Sequence, residues 1–266
     1  MYINRGLNKL IPIADELSEV EIPLIGTVSA GFPSEAFNYV EETIDFNKLL
    51  VKHKETTFCI ACGEESMAGD GISQGDLLVV DKSAEPRENS IVAIFLNGDF
   101  TFKRLRYGKG YVELVSSNPK RLPIIVREGE ELPYWGVLKF AIISPGGAVS
   151  TGFPSEAFNY SEEKVDFNKL LVKHKETTFC LTCGGESMIG DRICPGDLLV
   201  VDKLADPFEN SIIVLSLNGD FTLKRLRHGK GCVELVSSNP DQPPIIVWEG
   251  EELHYWGVLK FAIKRF

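Results

Sequence analysis

Two serines and two lysines set the first chemical question. Ser66 stands in Gly63-Glu64-Glu65-Ser66-Met67 and Ser187 in Gly184-Gly185-Glu186-Ser187-Met188. Each follows an apolar run (Thr57–Cys62, Thr178–Cys183) that reads as a strand, which places the serine on a sheet rim. A lysine comes 37 residues later in both cases, Lys103 in FTFKRL and Lys224 in FTLKRL. A serine hydroxyl is a weak nucleophile until a base takes its proton. A lysine is such a base only when desolvation makes its neutral form accessible. Both lysines lie in runs with apolar neighbours on either side, where such a shift can occur. Spacing alone leaves the plainer reading open, in which these are ordinary strand and rim residues.

The other reactive groups point elsewhere. Cys59-x-x-Cys62 and Cys180-x-x-Cys183 have the ligand types of a zinc site, yet positions i and i+3 of a strand face opposite ways. Cys194 and Cys232 stand alone. The cysteines are therefore read as packing residues, with no metal and no cofactor expected. His53 and His174 read as loop-edge residues, while His228 and His254 each replace a different residue in the matching segment. The cluster Lys103, Arg104, Arg106 and Lys109 is read as a solvated basic hairpin.

These groups recur because the chain repeats itself. Aligned at a constant offset of 121, residues 31–142 and 152–263 are identical at 87 of 112 positions without a gap. GFPSEAFNY, DFNKLLVKHKETTFC, GDLLVVDK, NGDFT, ELVSSNP and YWGVLKFAI occur in both. That is a duplicated domain rather than a short solenoid repeat. The expected organisation is an arm at 1–30, copy one at 31–142, a linker at 143–151 (Ile-Ser-Pro-Gly-Gly-Ala-Val-Ser-Thr) and copy two at 152–266. So short a linker places the copies side by side.

Within a copy the pattern is β. Leu77–Asp81 and Ile91–Leu96 are short Val/Ile/Leu runs, and Asn97-Gly98 and Asn218-Gly219 are two-residue hairpin signals. Phe100–Arg106 is the return strand and Tyr111–Ser116 the next. Asp45–Leu50 supports one short helix capped by Asp45. The differences Val92–Phe95 against Ile213–Ser216, and Arg87 against Phe208, read equally as divergence at the contact between copies or as drift after a recent duplication.

Composition narrows the function classes. The 266 residues carry a formal charge of −10, which argues against direct nucleic-acid binding as the main role. No run approaches the roughly 18 apolar residues of a spanning helix. Charge interrupts the N-terminal segment, so a secretory signal is not expected and a cytoplasmic location is.

The ordered motifs SM after a glycine–acid pair, IxxGDLLxVD, NGDFTxKRL and ELVSSNP resemble the self-cleaving Ser/Lys peptidases of the LexA–UmuD type. GFPSEAFNYVEETIDFNKLL is specifically similar to UmuD. The resemblance covers each copy almost end to end. It implies a mostly β peptidase fold, here two tandem copies packed as an intramolecular pseudo-dimer. It implies nucleophiles at Ser66 and Ser187, general bases at Lys103 and Lys224, and cleavage at Ala30-Gly31. It also implies activation by a RecA–single-strand DNA filament and service to a Y-family, UmuC-like translesion polymerase, with no membrane and no sequence-specific DNA binding.

Two departures divide the copies. Copy one has Glu64 where the family has glycine, adding a side chain and a negative charge beside Ser66; copy two keeps Gly185. Copy two offers Thr151-Gly152 where the family cuts Ala-Gly or Cys-Gly. The expectation is that Ser187 cuts Ala30-Gly31 across the fused pair. The rival is an idle pseudo-dimeric binding module for the polymerase or the filament. A signal-peptidase reading fails for want of a membrane anchor.

Overall fold

The computed structural model describes residues 10–28, 42–96, 98–145, 164–217 and 220–266. Ala30-Gly31, both GFPSEAFNY segments, Thr151-Gly152, Asn97 and Asn218-Gly219 lie outside the described residues.

The described residues are mostly β. The arm supplies β1 (Leu10–Pro12) and β2 (Ile22–Val28). Copy one follows with β3 (Glu42–Ile44), α1 (Phe46–Leu50), β4 (Thr57–Ala61), β5 (Leu77–Asp81), β6 (Ile91–Leu96), β7 (Asp99–Gly108), β8 (Tyr111–Val115), β9 (Ile124–Arg127) and β10 (Tyr134–Ile143). Copy two repeats the series as α2 (Phe167–Leu171), β11 (Thr178–Cys183), β12 (Leu198–Asp202), β13 (Ile212–Leu217), β14 (Asp220–His228), β15 (Cys232–Val236), β16 (Ile245–Trp248) and β17 (His254–Arg265).

Local chemistry sets these elements. Asp45 and Asp166 cap the short helices, accepting from the amides of Lys48 and Lys169. The pairings Leu96↔Asp99 and Leu217↔Asp220 leave two residues for each hairpin loop, the length that Asn-Gly favours. Gly136 and Gly257 permit a close crossing: a Cβ on Gly136 would meet Val80 at 2.6 Å, and one on Gly257 would meet the Asp202 carbonyl at 2.7 Å.

The two copies share one sheet. Strands β10 and β17 pair antiparallel with Ile142 opposite Ile263, which are equivalent residues, so a pseudo-twofold axis passes between them. Strand β10 therefore runs through Ile143, one residue into the segment expected as linker, because Ile143 is fully buried and pairs with Ala262. At the helices the contact is reciprocal. The Phe46 amide donates to Asn168 Oδ1 at 2.9 Å and the Phe167 amide to Asn47 Oδ1 at 2.8 Å. One shared cluster contains Phe46, Leu50, Cys59 and Ile142 from copy one with Phe167, Leu171, Cys180 and Ile263 from copy two. Most of the contact is thus made by nearly identical segments, to which Arg192, standing where copy one has Gly71, adds an ion pair with Asp76 across the copies. Val92–Ile94 and Ile213–Leu215 lie instead inside each copy's own core, which corrects the reading that these differences mark the interface and leaves drift for this cluster.

The arm joins both halves. β1 pairs antiparallel with β4 of copy one (Leu10↔Ile60, Pro12↔Phe58), and Ile13 bridges Val165 of copy two. The chain then crosses the pseudo-twofold at Ser18, whose carbonyl accepts from the side-chain amides of both Asn47 (2.9 Å) and Asn168 (2.7 Å). β2 finally pairs with β3 of copy one and, parallel, with β11 of copy two. Ile11, Ile13, Ile22, Ile25 and Val28 are all buried along the way. Full burial of each such side chain stabilises by about 1.5–3 kcal/mol, enough to hold a short segment in place.

Candidate functional site

Each serine sits on a turn held from three sides. The preceding strand ends where Cys62 and Cys183 donate their amides to the Asp76 and Asp197 carbonyls, both at 2.8 Å. Met67 and Met188, next to the serines, are buried and anchor the turn in each copy's core. A single 3-10 turn follows, Ala68–Asp70 or Ile189–Asp191. Its middle glycine lets it press on the ELVSSNP loop: a Cβ on Gly69 would lie 2.7 Å from the Ser117 carbonyl, and one on Gly190 would lie 2.4 Å from that of Ser238. The loop returns the contact, since the Asn118 and Asn239 amides donate to the Ser66 and Ser187 carbonyls at 3.1 Å.

The lysines come from the neighbouring hairpin. Lys103 on β7 pairs with Val92, and Lys224 on β14 with Ile213. Both are buried, and burial pushes each ammonium below the ordinary lysine range. The arginines beside them are not free basic groups, because Arg104 pairs with Asp70 and Arg225 with Asp191. That corrects the reading of a wholly solvated basic hairpin: Lys103 is buried and Arg104 is engaged, while Arg106 and Lys109 are exposed. The serines reach the same strands, Ser66 lying 3.1 Å from the Phe102 carbonyl and Ser187 3.4 Å from that of Leu223. The geometry brings each sequence-predicted serine to the strand of its own lysine.

The two clefts then part. In copy one Ser66 is buried and donates to Glu64 Oε1 at 2.9 Å. The same carboxylate oxygen accepts from Thr101 and from the Phe102 amide (3.3 Å), and the other approaches Arg121 at 3.6 Å. The Lys103 amine donates to Thr101 at 3.3 Å. Beyond burial, Glu64 pulls its pKa back up and Arg121 pushes it down. In copy two Gly185 leaves Ser187 partly open. Its lysine amine donates to Ser237 and to Gln242 Oε1 (3.2 Å), and burial is the one cause resolved for its shift.

Among the described residues, the arm runs forward along one copy and backward along the other. β2 runs parallel to β11 with Leu24 opposite Cys180 and Val28 opposite Cys183, and a bulge at Gly26 (φ +130°) adjusts the register. The Gly184 amide donates to the Val28 carbonyl at 2.7 Å, three positions ahead of Ser187 in the sequence. Ile25 and Val28 pack into the cluster that holds Met188 and Leu223. On copy one the equivalent edge carries β1, which runs the opposite way. Neither that reversed strand nor the crossing at Ser18 was legible in the sequence, since an arm without periodicity or turn signals gives no pairing partner. Gln242 and its counterpart Arg121 were also missed; both stand in a turn with no chemical motif.

The remaining candidates sit apart from this site. Cys59 and Cys180 lie in the central cluster, Cys62 and Cys183 in two others, as the alternation of a strand requires. Burial pushes the Cys62 and Cys180 thiols up to about 12, and those of Cys59 and Cys183 upward too, so none is a ready thiolate. Among the described residues no cluster of metal-ligating side chains is found. His174 bonds Asp202 (3.1 Å) and His228 bonds Glu209 (2.8 Å), both away from the serines. Among the described residues no helix is long and apolar enough to cross a membrane.

The site is thus a duplicated β domain in which each serine abuts the strand that carries a buried lysine. The Peptidase S24-like family model matches twice, over residues 23–139 and 142–260, and the chain belongs to that family. Protein SamA of Salmonella typhimurium is 37% identical over 114 residues, 43% of this chain and 79% of that protein. Protein ImpA of Escherichia coli is 39% identical over 115 residues, 43% of this chain and 77% of that protein. The LexA repressor of Bordetella avium is 36% identical over 126 residues, 47% of this chain but only 59% of the repressor.

Proposed function

We propose that the chain is a self-cleaving peptidase of the DNA-damage response in which Ser187 and Lys224 cut the Ala30-Gly31 bond. The observation that carries this reading is the parallel docking of β2 on β11, with the Val28 carbonyl fixed by the Gly184 amide at 2.7 Å. Val28 stands two residues before Ala30, so the arm enters the cleft of copy two travelling toward the serine. In the reaction the neutral Lys224 amine takes the Ser187 proton while Oγ attacks the Ala30 carbonyl carbon. The lysine then gives that proton to the Gly31 nitrogen as the peptide bond breaks. Water, deprotonated by the same amine, attacks the ester carbonyl, and the amine returns that proton to Ser187 Oγ as the ester bond breaks and residues 1–30 are freed.

The proposed division is an arm at 1–30, copy one at 31–142, a short linker and copy two to 266. By the UmuD resemblance in residues 31–50, the trimmed chain serves a translesion polymerase as an accessory subunit, with a RecA–single-strand DNA filament as trigger. Residues 1–30 include both β1 and β2, so their removal would expose matched edges, β4 and β11, on the two copies.

Incubation of the purified chain with intact-mass and N-terminal analysis tests the reading. The expected product begins at Gly31. Its rate should rise with pH, because the neutral form of Lys224 is the active one, and level off below the ordinary lysine value of about 10.4, because burial lowers that group's pKa. Absence of the product across that range, with and without the filament, would favour the idle binding module.

A further inference from the structure

We infer that Ser237 and Gln242 are positioning residues for Lys224, accepting its two amine hydrogens so that the lone pair is left for the Ser187 proton. The inference rests on the reading of Ser187 and Lys224 as a catalytic pair and adds two residues to it.

The hydrogen-bond directions carry the argument. Ser237 Oγ donates to Gln242 Oε1 at 2.8 Å, so its lone pairs are what it can offer to Lys224. The lysine amine donates to that hydroxyl and, at 3.2 Å, to the same Gln242 oxygen. Both partners are acceptors, and a neutral amine has two N–H bonds. With both engaged, the amine cannot rotate freely and one lone pair remains to be aimed. Both partners are also uncharged, so they hold the amine without favouring the ammonium form as a carboxylate would.

Copy one serves as an internal control. Ser116, at the position of Ser237, is buried and its hydroxyl is without a partner. Arg121 replaces Gln242 and has no acceptor to offer; it turns to Glu64. The loop does not need glutamine in order to fold. The Arg121 amide donates to the Asn118 carbonyl at 3.0 Å, and the Gln242 amide to the Asn239 carbonyl at 3.2 Å. The neighbouring turn bonds match as well, both at 3.1 Å. What the glutamine adds to the same loop is its contact with Ser237 and Lys224. Gln242 is itself solvent-exposed, so replacing it leaves the core intact.

The test measures first-order self-cleavage against pH in the full chain, beside Ser237→Ala, Gln242→Met and Gln242→Glu. Gln242→Met and Ser237→Ala should each lower the plateau rate by roughly tenfold, and the double variant should be little worse than either, since both act through one amine. Gln242→Glu should shift the midpoint of the profile upward by about one pH unit, because a carboxylate beside the amine favours its charged form. A lysine side-chain NMR titration in the Ser187→Ala chain should show the same upward shift for Lys224 on adding Gln242→Glu. Variants that cleave with the parent's rate and profile, or an unmoved Lys224 titration, overturn the positioning role. Failure of the parent to cleave, or cleavage undiminished in Ser187→Ala, overturns instead the catalytic reading on which it rests.

Discussion

Two clefts of one ancestry have become chemically different. They share strands, turn, anchoring methionine and buried lysine, yet one holds a covered serine and the other a partly open one. The change is small and coupled: glycine to glutamate at 64 and glutamine to arginine at 121, which meet as an ion pair at 3.6 Å. The carboxylate takes the Ser66 proton donor, and the arginine removes the acceptor that its counterpart supplies to Lys224. The arm reinforces the split, laying a strand forward along β11 and backward along β4. On the proposed reading, duplication separates roles that a symmetric pair would hold twice, with copy one as scaffold and donor of the cut bond and copy two as the catalyst.

The largest expected effect comes from moving the ion pair. Gly185→Glu together with Gln242→Arg should slow self-cleavage about 100-fold or more, since it removes a positioned general base. The reciprocal chain, Glu64→Gly with Arg121→Gln, should make Ser66 react with a serine-directed phosphonylating reagent that leaves it untouched in the parent. Equal labelling of Ser66 in both chains would break the comparison.

A smaller effect is expected from the docked arm. Val28 is buried against the cluster that holds Met188 and Leu223, and Val28→Asp would place a charge there. Cleavage should fall roughly 10- to 100-fold, the usual range for burying an unpaired polar group. The mirror change Leu10→Asp, in the strand on copy one, should affect the rate much less.

The smallest effect lies at the axis. Ser18 Oγ donates to Asp166 Oδ1 at 2.9 Å, and Ser18→Ala should cost about 1–2 kcal/mol, read from the denaturation midpoint. Burial pushes the Asp166 carboxyl up, but donors from Asn47, Ser18 and Lys169 outweigh it and hold the group below the ordinary carboxylate value. A carboxyl held low contributes stability above its unfolded pKa of about 3.9 and loses it as pH falls through the folded value. Ser18→Ala should therefore also flatten the loss of stability on acidification.

Much of this was legible before any coordinates. The duplication fixed what repeats: Leu77–Asp81 and Ile91–Leu96 are strands as read, Asp45 caps its helix, and each serine reaches the strand of its lysine. Glu64 was marked as a threat to copy one by its side chain in place of glycine and by its charge, and its bond to Ser66 gives that threat a geometry. What sequence could not supply was the pairing of non-repeated residues. The arm has no partner in the alignment of copies, so the direction of β1 and the crossing at Ser18 emerge only from the fold. Gln242 was passed over because an exposed turn residue carries no chemical signal until its amide oxygen is found beside a lysine. The interface reading of the Val92–Phe95 differences failed for a related reason: identical residues such as Phe46 with Phe167 supply most of the contact across the twofold, and Arg192, in place of Gly71, joins it from outside that cluster.

The division of labour is tested most directly by rates of self-cleavage for Ser66→Ala and Ser187→Ala, followed by intact mass in the full chain. The account predicts that Ser66→Ala yields the Gly31 product at a rate within about twofold of the parent, and that Ser187→Ala yields none. Loss of the product in Ser66→Ala, or its persistence in Ser187→Ala, would contradict it.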